Sequence, residues 1–211
     1  MSKPDIYKAL FDTRTLSVKD FITHGDRPYV LNFNKILSNH ELFDNITLHI
    51  EHCIDTNKLV FDRICAASNS AIPFATNTAT SLTKPFCYVN RDSNGNVEKD
   101  DIKNIKIEGG MDIDDKILLI ESCSQNNFVL ENIINRIRKY GGQVVGIIII
   151  INLCEGEYAN LIDANEPLYP IFNLFEIFTH LETNNMIEMF YSEKVKFFCE
   201  KENKINMRKL L

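Results

Sequence analysis

The sequence predicts an α/β fold in which a parallel sheet is covered by helices on both faces. Two observations carry this. Residues 59–65, 86–89, 116–121 and 144–151 are short, nearly unbroken apolar runs, the pattern of strands buried on both sides. The stretches between them place apolar residues at helical spacing over about ten to fourteen positions, so strands and helices alternate along the chain.

Taken in order, residues 6–11 form a short apolar segment, and 16–21 read as a brief amphipathic element leading into the turn His24-Gly25-Asp26-Arg27-Pro28. Residues 29–33 alternate as a strand does. From Asn39, the apolar residues Leu42, Phe43, Ile46, Leu48, Ile50 and Cys53 recur mostly at helical spacing, which predicts a helix ending near 55–57. Residues 59–65 form a core strand, 66–71 a run of small residues, and 72–82 a second helix whose first turn tolerates Pro73. A short strand follows at 86–89. Residues 90–116 are polar and hold two glycine-containing turns, so a long loop or β-arm is expected, of the kind that usually carries function. Residues 116–121 then make a buried strand, 128–140 a helix closed by Gly141-Gly142, and 144–151 a further buried strand. A last strand is expected at 169–172, with terminal helices at 174–181 and 191–201. Phe172, Phe175, Phe178, Phe190, Phe197 and Phe198 are assigned to core or dimer packing. No internal repeat or Pro/Ser-rich linker divides the chain, and 211 residues are enough to bury roughly 70% of the unfolded surface, so one domain over 1–211 is expected.

A net charge of −6 excludes the massed Lys and Arg of a general nucleic-acid or anionic-membrane binder. The six cysteines, Cys53, Cys65, Cys87, Cys123, Cys154 and Cys199, stand 12 or more residues apart, which implies reduced thiols in a cytosolic compartment rather than zinc motifs or redox dithiols. The opening residues Met1-Ser2-Lys3-Pro4-Asp5 carry no apolar segment of a secretory signal, and the longest apolar run, 144–151, is eight residues against the ~20 of a membrane span. The choice of residues within classes is unusual: 27 Ile and 23 Asn against 8 Ala. Both favoured residues use AT-rich codons, which points to an AT-rich genome such as that of a parasite, an insect-associated microbe or a large DNA virus.

In an open parallel sheet, ligands bind at the carboxyl ends of the strands. The segments to inspect are 66–71, 89–94, 121–127 and 152–156. The third, Glu121-Ser122-Cys123-Ser124-Gln125-Asn126-Asn127, joins a strand to a helix, where a loop ordinarily cradles phosphate on backbone N–H groups. That task favours glycine, and none is present. The histidines, including His49 and His52 three apart on one helix, lack a third ligand for zinc. Asp112, Asp114 and Asp115 lack the glycine and glutamate of a calcium loop and read as a solvated turn.

From about residue 10 to 201 the chain resembles the orotate phosphoribosyltransferases, in particular the N-terminal domain of eukaryotic UMP synthase. The resemblance rests on Leu10-Phe11-Asp12, Val18-Lys19-Asp20-Phe21, Phe61-Asp62-Arg63-Ile64-Cys65, Ala71-Ile72-Pro73-Phe74-Ala75-Thr76, Ile117-Leu118-Leu119-Ile120-Glu121 and the stretch 169–181, in the family's order and with nearly its spacing. It implies a type I phosphoribosyltransferase-like parallel sheet flanked by helices, with a small N-terminal hood over about 1–40, and a homodimer. The family moves ribose-phosphate from phosphoribosyl pyrophosphate to a nitrogen of orotate, with Mg²⁺, through a transition state of cationic sugar character. Carried over position by position, its apparatus is degenerate here. The family's lysine near the N-terminus falls at His24 within Thr23-His24-Gly25. The pyrophosphate loop is Ala67-Ser68-Asn69-Ser70 without its usual glycine, the Arg-Arg-Lys-Glu run is Val89-Asn90-Arg91-Asp92, and the catalytic-loop lysine falls near Asn94. The acidic pair is Glu121-Ser122, the Thr and Gly of the phosphate cradle are Gln125 and Asn127, and the orotate-holding Arg is Leu153.

Each missing transition-state contact typically costs ~2.7–4 kcal/mol, and losing most of them leaves little catalytic apparatus. The sequence reading is therefore a catalytically inactive homologue with a structural or protein-interaction role. It assigns no catalytic residue, no metal and no cofactor, and it expects a homodimer and an unidentified protein partner. In a viral genome it would be a captured host enzyme, present in the virion or the infected-cell cytoplasm. The alternative is a divergent active phosphoribosyltransferase or nucleotide-binding module of pyrimidine metabolism. There Glu121, Ser122, Ser124 and the loop lysines Lys99, Lys103 and Lys106 would rebuild a phosphate site with Mg²⁺. Asn69, Asn90, Asn94, Asn126, Asn127 and Asn152 gather at the sheet ends, as drift after loss of catalysis would leave them.

Overall fold

A computed structural model describes residues 1–19, 27–90, 106–123, 127–153 and 166–209, with side chains at 127, 128 and 201–209 left aside. Helix α1 (Lys3–Asp12) starts on a capping box in which the Ser2 side chain accepts from the Asp5 N–H and the Asp5 carboxylate accepts from the Ser2 N–H. Strands β1 (Leu16–Val18) and β2 (Tyr29–Leu31) form a small antiparallel pair, and a 3-10 turn over Phe33–Ser38 leads into α2 (His40–Thr56). Asn39 caps α2 by accepting from the Leu42 N–H at 2.9 Å. The rest runs β3 (Arg63–Ala66), a 3-10 turn (Asn69–Ala71), α3 (Ile72–Ser81), β4 (Phe86–Asn90), β5 (Lys106–Glu108), β6 (Lys116–Cys123), α4 (Asn127–Lys139), β7 (Gln143–Asn152), β8 (Leu168–Asn173), α5 (Leu174–Thr183) and α6 (Met189–Lys209).

The main sheet has the order β5-β4-β3-β6-β7-β8; every neighbouring pair is parallel except β4 with β5, which is antiparallel at the edge. This is the predicted sheet covered on both faces, with an antiparallel edge strand added. Period-2 alternation divides β6 and β7 between two cores. Leu118, Ile120, Ile148 and Ile150 pack against α1, α2, α3, α5 and α6, while Ile117, Leu119, Ile147 and Ile149 pack against Leu130, Ile133, Ile134 and Ile137 of α4.

Several boundaries differ from the sequence reading, each for a physical reason. Of the predicted strand 59–65 only residues 63–65 pair, and the strand runs on to Ala66. Val60 is 73% exposed, and the Phe61 carbonyl accepts from Lys84 Nζ at 2.9 Å instead of joining the ladder. Residues 16–18, within the expected amphipathic element at 16–21, pair as a strand with 29–31. On α2, Leu48 faces solvent and Thr47 takes the buried place, its hydroxyl donating to the Phe43 carbonyl at 3.1 Å. The turn at 112–115 is not merely solvated. Arg63, at the amino end of β3, donates from Nε to Asp115 Oδ2 at 2.8 Å and from its guanidinium to Asp112 at 3.2 Å. Burial of Asp115 alone would raise its carboxyl, but the Asp112 N–H and the Arg63 guanidinium outweigh that and hold it below the ordinary value of 3.8. The part of the predicted arm at 91–105 lies outside the described residues; its return forms β5.

Among the phenylalanines assigned to packing, Phe172 and Phe178 are core residues and Phe175 and Phe198 pack partly against that core, whereas Phe190 and Phe197 are exposed. Five cysteines are free thiols, of which Cys65, Cys87 and Cys199 are buried; Cys154 is outside the described residues. Among the described residues no helix is long and apolar enough to cross a membrane.

Candidate functional site at the carboxyl ends of the strands

The parallel strands deliver three segments to one end of the sheet. After β3, the Ala67 N–H still reaches the Ile120 carbonyl at 2.9 Å, which holds Ser68 beside the end of β6. Ser68 precedes the 3-10 turn, whose Ala71 N–H donates to the Ser68 carbonyl at 3.0 Å. Its hydroxyl does not cap that turn. It donates instead to Glu121 Oε1.

The same oxygen of Glu121 accepts from the Ser122 N–H at 2.7 Å and from the Ser122 hydroxyl at 3.1 Å. Ser70 closes the group with its hydroxyl 2.7 Å from that of Ser122. Glu121 is 8%, Ser122 2% and Ser68 9% exposed, so the cluster is largely withdrawn from solvent. A buried carboxylate is costly unless it gains charge-assisted hydrogen bonds, and three donors on one oxygen supply them from within the chain.

The expected turn at 121–127 is in part a strand. Glu121 pairs in register with Ile149 and Cys123 with Ile151, so β6 continues through three residues whose polarity suggests a loop. Of the residues singled out in the sequence, the structure brings Glu121, Ser122 and Ser68 together. Asn69 is next to them but exposed. Cys123 is half-buried at the end of β6, and Asn127 opens α4. Ser124, Gln125, Asn126, His24, Arg91 and Asn94 lie outside the described residues, as do Lys99 and Lys103; Lys106 sits exposed on β5. Leu153, which the resemblance sets against the orotate-holding Arg of the resembled enzymes, is fully buried in the core, and its carbonyl accepts from the Cys199 thiol of α6 at 3.5 Å. Ser70 enters the sequence reading only as the last residue of the loop Ala67-Ser68-Asn69-Ser70 and not as a site residue; its place in that loop is the signal for it.

The resembled orotate phosphoribosyltransferases use Mg²⁺. Among the described residues, Glu121 Oε1 at this end already accepts from the Ser68 hydroxyl and from the Ser122 N–H and hydroxyl. Among the described residues there is no group of three or more His, Cys, Asp or Glu side chains able to hold a metal.

With this geometry in place, the chain has the architecture of a type I phosphoribosyltransferase. It is similar in fold to the UMP synthase of Leishmania donovani (TM-score 0.79, 17% identity, covering 95% of this chain and 43% of that one) and to the orotate phosphoribosyltransferase of Aeropyrum pernix (TM-score 0.70, 16% identity, 86% and 99%). In sequence it resembles orotate phosphoribosyltransferases. That of Sulfolobus acidocaldarius is 23% identical over 186 residues, 87% of this chain and 90% of that protein, and that of Sulfurisphaera tokodaii is 25% identical over 186 residues, 87% and 91%. No family model matches the chain.

Proposed function

We propose that this chain is a catalytically silent homologue of the orotate phosphoribosyltransferases. In this reading it is a single domain over 1–211, with a hood at about 1–40, that serves as a structural or protein-binding module. It works as a homodimer with a protein partner, in a reducing compartment and without a cofactor. One observation carries the reading: the carboxylate at the family's ribose-facing position, Glu121, is held by the chain's own Ser68 and Ser122 and is largely withdrawn from solvent. A ribose diol approaching Glu121 Oε1 would have to displace hydrogen bonds made to a charged group, each worth about 1.5–3 kcal/mol. The burial of Leu153, where the resembled enzymes hold the orotate carboxylate with an arginine, points the same way. The positions Glu121, Ser122, Cys123, Ser124, Gln125, Asn126 and Asn127 are then vestigial, as are His24, Ser68, Asn69, Arg91, Asn94 and Leu153. In a chain encoded by a large DNA virus, the setting is the virion or the infected-cell cytoplasm.

The test is orotate consumption with phosphoribosyl pyrophosphate and Mg²⁺, followed by the loss of orotate absorbance. The expected result is a rate equal to that without protein. Turnover that disappears in Glu121→Ala would overturn the reading in favour of a divergent phosphoribosyltransferase.

A further inference from the structure

Over residues 189–200, helix α6 carries apolar side chains on two sides. Ser192, Val195 and Cys199 are fully buried on its inner side, and Lys196 is tied to Glu182 of α5 at 3.5 Å. The outer side is built from Phe190, Glu193, Lys194 and Phe197, at positions i, i+3, i+4 and i+7 of one helical face. Phe190 is 53% and Phe197 69% exposed, among the largest apolar exposures on the described surface. Lys194 lies with its ammonium 3.9 Å from the centroid of the Phe190 ring, and Glu193 is exposed beside it.

The order of these four residues is self-complementary. Read from either end about a point between Glu193 and Lys194, an aromatic ring lies three residues outside a charge, and the two central charges are opposite. An interface between two identical copies related by a two-fold axis must match its own surface in this way. The geometry points to α6 pairing antiparallel with α6 of a second copy of this chain, the axis passing between Glu193 and Lys194. Phe190 then covers Phe197 of the second copy, Phe197 covers its Phe190, and each Lys194 meets the other copy's Glu193. The opposed helix dipoles favour the same antiparallel arrangement. One helix pair is a small interface, so assembly depends on concentration. This inference rests on the homodimer of the proposed function and gives it a surface; it is independent of whether the strand-end site is silent.

Sedimentation equilibrium of the full chain over roughly 1–200 µM tests it. The parent chain is expected to shift from monomer to dimer. Phe190→Ser with Phe197→Ser should weaken the dimer at least ~10-fold, about 1.4 kcal/mol. These side chains are exposed, so a thermal melt matching the parent is the folding control. Glu193→Lys alone and Lys194→Glu alone should each weaken the dimer by placing like charges across the axis, and the two together should restore it. A dimer that all four variants leave unchanged would overturn the α6 surface while the two-copy reading survives. A monomer at every concentration would overturn both, and a chain that stays monomeric but binds phosphatidylcholine–phosphatidylserine vesicles through the two phenylalanines would make α6 a membrane contact instead.

Discussion

Glu121 Oε1 accepts from the Ser68 hydroxyl and from the Ser122 N–H and hydroxyl in a largely buried setting. The Ser68 hydroxyl donates to a charged acceptor in a buried setting, and a hydrogen bond of that kind is worth about 1.5–3 kcal/mol. Ser68→Ala is therefore expected to lower unfolding free energy by about that amount in urea titrations, with a smaller loss at the exposed Asn69→Ala. If Ser68 were a substrate ligand in an open site, its removal would leave stability almost unchanged. At the other end of β3, Asp115 is held below its ordinary value by the Asp112 N–H and by Arg63, against the opposing pull of burial. Its folded pKa is depressed, so the stability it contributes is present above about pH 3.8 and is lost as pH falls through the lower folded value. Melting curves from pH 6 down to pH 3 should show Asp115→Asn less stable than the parent at the upper end, with the two converging toward the lower end. A constant gap across that range would assign the loss to packing rather than to the ion pair.

At the scale of elements, much of the chain is governed by rules visible in a linear reading. The five isoleucines at 147–151 form the interior of β7, and Gly141 ends the α4 segment with φ +91, a conformation that costs L side chains energy. Gly141→Ala should cost about 1–2 kcal/mol, measured by thermal unfolding, because it forces an L side chain into a left-handed φ; the Cβ itself would only reach ordinary contact with Ile113. Asparagine, whose gathering at the sheet ends resembles drift, also has structural work elsewhere: Asn32, Asn39 and Asn173 cap the starts of helical segments, and Asn57 and Asn184 bond back to carbonyls at helix ends. Local pattern does not reveal tertiary pairing. The polar residues Glu121, Ser122 and Cys123 remain in β6 because β7 supplies a partner strand at Ile149 and Ile151. Arg63 finds Asp112 and Asp115 about fifty positions away, so neither spacing nor residue type in that acidic run announces the pair. The site is legible in the sequence as a place, the strand ends, and as a set of departures from a family pattern. Its internal closure is not, since the hydrogen bond between Ser68 and Glu121 joins residues 53 positions apart.

Across the whole molecule, the sheet and both cores keep the architecture of a phosphoribosyltransferase while the described strand ends carry hydrogen bonds directed at one another. The coupling between the two is visible at Leu153, where the residue following β7 joins the main core and bonds Cys199 of α6. The most direct measurement is isothermal titration of the full chain with phosphoribosyl pyrophosphate, with and without Mg²⁺, and then with orotate and orotidine monophosphate. A silent site gives heats of dilution alone in every case. Saturable binding of any of these ligands with a Kd of ~10 µM or tighter, near −7 kcal/mol, would contradict it.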